Sequence, residues 1–174
     1  MNIVGSLKAV AGLLAIALIV AGCASQPLSN NDLDRIADLG ALRQEALTLV
    51  NQTRRREGVP QLRRSAQLDA AAQAHAEDMA RRGFYAHVSP ERGDVGSRYR
   101  ASGGGDWRII AENINQCVNC RASVEQMRTF HQRWLASRGH RRNIVDPRLE
   151  AFGFGVASAG GRVYAVQTFV TERP

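Results

Sequence analysis

Apolar residues recur at helical spacing in three stretches of the chain. In 41–58 they fall at Leu42, Ala46, Leu49 and Val50, and Gly58 and Pro60 stop the pattern. In 65–83 Leu68, Ala72, His75 and Met79 share one face, Ser65 is placed to cap the start, and Gly83 ends the run. In 123–137 Val124, Met127, Phe130, His131 and Trp134 form a third stripe behind Ser123. Between these lie two loops, "FYAHVSPERG" (84–93) and "SGGGDW" (102–107). The three glycines of the second lack the strand-then-helix context of a phosphate cradle. "RIIAENI" (108–114) reads as a short strand, and "AFGFGVAS" with "RVYAVQTFVT" as a hairpin across Gly160-Gly161. Helices and strands that do not strictly alternate predict a layered α+β domain rather than a doubly wound sheet.

The N-terminus has a different pattern. Lys8 precedes an uncharged apolar run, Ala9 to Ala21, shorter than the roughly 20 residues that span a bilayer. It has the form of the h-region of an export signal. The run ends in Val20-Ala21-Gly22-Cys23, which is similar to a bacterial lipobox. That likeness implies cleavage before Cys23 and acylation of its sulfur and new amino group; a plain cleaved signal with an incidental cysteine is the alternative. The organisation expected is a signal over 1–22, a lipidated tether over 23–40 and one domain over 41–174. Palmitate-type acyl chains on Cys23 would make the membrane a partner. Ala24, in place of an inner-membrane retention aspartate, points to the outer membrane facing the periplasm if the cell is Gram-negative.

The chain carries 23 Lys and Arg against 16 Asp and Glu, a net charge of +7. Arginines cluster as Arg54-Arg55-Arg56, Arg63-Arg64, Arg81-Arg82 and Arg141-Arg142. The first and third groups stand where helices are expected to end, and there they complement the helix dipole. Aromatic residues are only 6% of the chain, and nucleic-acid binding is not expected. Solvated surface is the plain reading of this charge, and anionic lipid headgroups are the functional one.

With Cys23 set aside, "CVNC" holds the two remaining thiols, Cys117 and Cys120. A disulfide suits an exported protein. Redox activity and zinc binding stay open beside it, although the βαβ setting of a thioredoxin motif is missing.

Five segments in order, "LVNQTRRREGVPQL", "LDAAAQAHAEDMARRGFYAH", "AENI", "WLASRGHRRNIV" and "GFGVASAGGRVYAVQTF", resemble the CAP superfamily, whose SCP domain occurs in cysteine-rich secretory proteins, antigens and pathogenesis-related proteins. The likeness runs from about Leu42 to Val170 and is nearest to the short bacterial branch. It implies a three-layer α-β-α sandwich with a cleft of two histidines and two glutamates that in some members binds a divalent metal. Carried over, these are His87, Glu112 and His140, with Ser137 where the second glutamate usually stands. A weakly held zinc-type ion on His87 and His140 is the cofactor this implies. The functional reading is a binding module for a lipid-like ligand, an envelope component or a partner protein. The alternative is a metal-assisted hydrolase using His87, Glu112 and His140. His87 and His140 are expected in loops, His75 and His131 as packed core histidines, Trp107 and Trp134 as core, and Asn113 and Asn143 as partners of backbone groups in turns. A Ser137–His140 nucleophile pair lacks the tight strand-to-helix turn such a serine needs.

Overall fold

The computed structural model describes Met1 and residues 33–173. Apart from Met1, the proposed signal lies outside the described residues, as do Cys23 and most of the tether. Among the described residues, five helices and four strands follow in order: α1 Leu39–Arg56, β1 Arg63–Arg64, α2 Ala66–Arg82, α3 Val95–Ala101, β2 Trp107–Val118, α4 Val124–Ala136, α5 Arg138–Val145, β3 Ala151–Ala159 and β4 Arg162–Glu172. The sheet order is β1-β3-β4-β2, with β1 parallel to β3 and the other pairs antiparallel.

The three expected helices form with the expected caps. Ser65 Oγ accepts from Leu68 N, Ser123 Oγ accepts from Gln126 N, and Gly83 closes α2 in the left-handed region at φ 68°. Four elements differ from the sequence reading, the first being the short strand β1, which pairs in parallel with β3. The strand expected over 108–114 extends through 107–118, because β4 pairs with it along its whole length. Helix α3 stands between the two loops, capped by Asp94, whose carboxylate accepts from Ser97 N. "SRGHRRNI", expected as a loop, is helix α5; its one fully buried side chain, Ile144, anchors it to the core.

The fold is an α-β-α sandwich. Phe152, Phe154 and Val156 alternate with Gly153, Gly155 and Ala157 along β3, so the two faces differ in bulk. The large residues pack with Leu42, Val50, Phe130, Trp134 and Ile144 under α1, α4 and α5. On the other face α2 lies directly on the glycines. A Cβ at Gly153 would stand 2.2 Å from the Leu68 carbonyl carbon, and one at Gly155 2.2 Å from Gln73 N. Gln73 then completes the seam by exchanging hydrogen bonds with the Val156 N–H and C=O.

Arg54, read as a helix-end charge, is fully buried. Its guanidinium donates to the carbonyls of Pro60, Ile144, Asp146 and Leu149, tying the end of α1 to the chain after α5. Trp134 is core, and its indole N–H donates to Ile114 O at 2.9 Å. Trp107 is only half-buried, edge-on to Tyr99 and covered by the Arg100 guanidinium at 4.3 Å.

Candidate functional site

β2 is an edge strand, and its free edge is covered from both faces of the sheet. Alternation turns Glu112 and Ile114 toward α2, and Asn113 toward α4 and α5. Loop 84–93 covers the first side and α5 the second.

On the α2 side Glu112 is buried, and both carboxylate oxygens are engaged. Oε2 accepts from Arg98 Nη2 at 2.6 Å, and Oε1 from His87 Nδ1 at 2.9 Å. Because the carboxylate accepts, the His87 ring donates from Nδ1, and its Nε2 edge is left free. The His87 side chain is 56% exposed, against 3% for Glu112 and 2% for Arg98. The site therefore has an accessible imidazole on a buried ionic base.

Loop 84–93 is held at several points. Arg98 donates to His87 O and Gly93 O. His75 Nε2 donates to Ala86 O at 2.9 Å and lies 3.9 Å from Glu112 Oε1. Ser89 Oγ donates to Asp78 and accepts from the N–H groups of Glu91 and Arg92. His75 is buried as expected, but it underlies the site rather than merely filling core. Burial lowers its pKa, and the Arg98 charge adds to that against the opposing pull of Glu112. A neutral ring donating from Nε2 leaves Nδ1 as a lone pair with no partner among the described residues.

On the other side Asn113 and Asn143 join strand to helix. Asn143 Nδ2 donates to Asn113 Oδ1 at 2.9 Å and to Glu112 O, while Asn113 Nδ2 donates to His140 O and Gln167 Oε1. They do satisfy backbone groups, but of a strand and a helix rather than of turns. His140 is half-buried on α5, not in a loop. Burial lowers its pKa, and the charge of His87 adds to the shift. Ser137 ends α4 and precedes α5; its side chain caps neither helix, while its carbonyl accepts from Arg141 N. Arg141 pairs with Glu57 at 2.8 Å and Arg142 is exposed.

The donor set fits a metal poorly. Among the described residues no three His, Cys, Asp or Glu side chains are grouped as ligands. Glu112 has no oxygen to spare, and a guanidinium 2.6 Å from it would repel a dication.

Residues 47–171 match the family model for the cysteine-rich secretory protein family, CAP. The chain belongs to this family. Among its relatives, YkwD of Bacillus subtilis is 25% identical over 132 residues, 76% of this CAP chain and 49% of YkwD. The B. subtilis membrane protein YlbC is 30% identical over 127 residues, 72% of this chain and 33% of YlbC. The chain thus spans half or less of the length of both. An extracellular SCP-domain protein of Bacillus anthracis superposes with a TM-score of 0.65 at 26% identity, over 76% of this chain and 41% of that one. An outer surface protein of Borrelia burgdorferi shares the fold alone, at TM-score 0.69 and 11% identity over 82% of this chain and 99% of that one.

Arg98 was not singled out by sequence reasoning. The available signal was Asp94, a capping residue four positions before it, with Val95 and Tyr99 at helical spacing. The "CVNC" pair forms a disulfide, Cys117–Cys120, with Cα atoms 6.1 Å apart. It ties off the end of β2 beside the β3–β4 turn, where Cys120 N donates to Gly161 O.

Proposed function

We propose that this chain is an exported, lipid-anchored CAP-domain binding module, and that the edge of β2 around His87, Glu112, Ser137 and His140 is its ligand seat. One observation carries the reading: Glu112 is held on both oxygens, by Arg98 and by His87. A carboxylate so engaged is a fixed group that orients the His87 ring. What faces outward is the Nε2 edge of the His87 ring, with a second imidazole, His140, on α5 across the same strand. Two such rings at one strand edge suit a polar group on a ligand. The ligand classes that suit an envelope protein are a lipid-like molecule, a wall or membrane component, or a partner protein. Anchoring is through Cys23, and the outer membrane is the expected location if the cell is Gram-negative.

The test has two arms. Native mass spectrometry of protein taken from the envelope should find a co-purifying ligand that is lost in His87→Ala and His140→Ala, while circular dichroism stays unchanged. Labelled palmitate should enter the wild type and not Cys23→Ala. Ester or phosphoester turnover lost in the same histidine variants would overturn the binding reading in favour of a hydrolase using His87, Glu112 and His140. Palmitate entering both proteins would overturn the anchor.

A further inference from the structure

The end of the sandwich opposite the start of β2 gathers features that the β2 site does not use. The β3–β4 turn, the disulfide loop and the segment entering α1 meet there around a cavity of about 550 Å³. Asp34, Arg35, Ile36, Asn119, Cys120 and Arg121 are among its walls. A second hollow shares the same turn and joins Arg162 to the end of α2 at Ala80 and Gly83.

Past Lys8 the chain has no further lysine, and nine of its 22 arginines have a carboxylate within ion-pair distance among the described residues. At this end Arg35, Arg121 and Arg162 have no carboxylate within ion-pair distance among the described residues. The one carboxylate lining the larger cavity, Asp34, accepts from the Ser158 hydroxyl at 2.6 Å, and its N–H donates to Ser158 O. Val118, paired with Arg162 across β2 and β4, is 58% exposed at the same tip. Three guanidiniums without a carboxylate partner and an exposed apolar side chain at one end of the fold complement a surface with negative headgroups over hydrocarbon.

Leu33 fixes where this end lies relative to the proposed anchor. Asp34 is bonded to Ser158, so the chain enters the fold at this tip. Ten residue steps separate Cys23 from Leu33, a reach of no more than about 36 Å. We infer that the tip formed by the β3–β4 turn, the disulfide loop and residues 33–37 is a docking surface for an anionic bilayer, with Arg35, Arg121 and Arg162 as its headgroup contacts. The inference rests on the export-and-anchor reading for its location, but its chemistry is measurable without the anchor.

The experiment uses a chain beginning at Ala24, which keeps all of the fold described from Leu33 onward and carries no acyl group. Its partition is measured onto vesicles of phosphatidylcholine with 30% phosphatidylglycerol, and onto phosphatidylcholine alone, at low and high salt. Binding is expected only to the anionic vesicles and should weaken with salt. The variant Arg35→Gln/Arg121→Gln/Arg162→Gln should lose about a hundredfold in partition, at about fivefold per arginine. A control with the same charge change elsewhere, Arg108→Gln/Arg142→Gln/Arg173→Gln, should lose less than about threefold. Equal loss in both triples would reduce the effect to net charge and overturn the inference. So would absence of binding at low salt, or a dimer that the tip variant abolishes, which would assign the tip to a second copy. Palmitate labelling of Cys23 is read separately, so either reading can fail alone.

Discussion

Arg98 and Glu112 stake the site on one buried ion pair. Each side chain is at most 3% exposed, and Arg98 also carries two loop carbonyls, those of His87 and Gly93. Removing one partner of such a pair leaves an uncompensated buried charge, at a cost of about 3–5 kcal/mol. Arg98→Met is therefore expected to lose stability in that range by urea unfolding. Arg98→Met/Glu112→Gln should recover part of the loss, since the amide removes the stranded charge. If the double variant were no more stable than Arg98→Met, the pair would not be the source of the cost. In both variants loop 84–93 should exchange its amide protons faster, because its carbonyl anchors depend on Arg98.

At the scale of elements, the site is placed by the way α2 rests on β3. Gly153 and Gly155 let the helix backbone approach until no Cβ fits between. This seam sets the height of α2 over the sheet, and with it the position of His75 and Asp78, which hold the His87 loop from below. Gly155→Ala would bring a methyl to 2.2 Å from Gln73 N, so α2 must lift or tilt. Overpacking of this kind costs about 1–3 kcal/mol, and more where backbone rather than a side chain must give way. A lowered Tm, with the His87–Glu112 contact loosened as seen by a shifted His87 ring resonance, is the expected result. A variant with the wild-type Tm would show that the seam is looser than its geometry.

For the whole molecule, acid is the condition that tests how the histidines are buried. His75, His131 and His140 lie on three different helices, and burial is the largest cause of a lowered pKa at each. His131 is the clearest: 2% exposed, bonded to the Thr53 hydroxyl, with the Arg56 charge adding to desolvation, its pKa falls from 6.5 to about 4. A depressed histidine pKa stabilises the fold above the unfolded value of 6.5, and that stability drains away as pH falls toward 4. A shift of this size corresponds to about 3 kcal/mol from His131 when fully expressed. Unfolding free energy should hold level above pH 7 and drop between pH 6.5 and 4, with His131→Asn flattening much of the drop. A wild-type curve flat down to pH 4.5 would mean that the ring is hydrated or protonated in the fold.

Local sequence determined the helices with strong signals of their own. Caps at Ser65, Ser123 and Gly83 and apolar stripes at period 3.6 act within a turn or two of chain, so α1, α2 and α4 were legible, as was the hairpin across Gly160-Gly161. The motif order around His87, Glu112 and His140 was equally legible, and it led to the family. Tertiary structure alone decided what those motifs do to one another. Whether "SRGHRRNI" is helix or loop turns on Ile144 reaching the core, a contact no local pattern announces. That Glu112 is an orienting anion depends on Arg98, 14 residues away and on a helix whose seven residues give too weak a period to read. Arg54 looked like one of three helix-end charges, and it became a buried tie because the end of α5 and the chain after it bring three carbonyls, those of Ile144, Asp146 and Leu149, to join that of Pro60. Burial and pairing across the chain are sums over distant neighbours, and a sequence read window by window does not contain those sums.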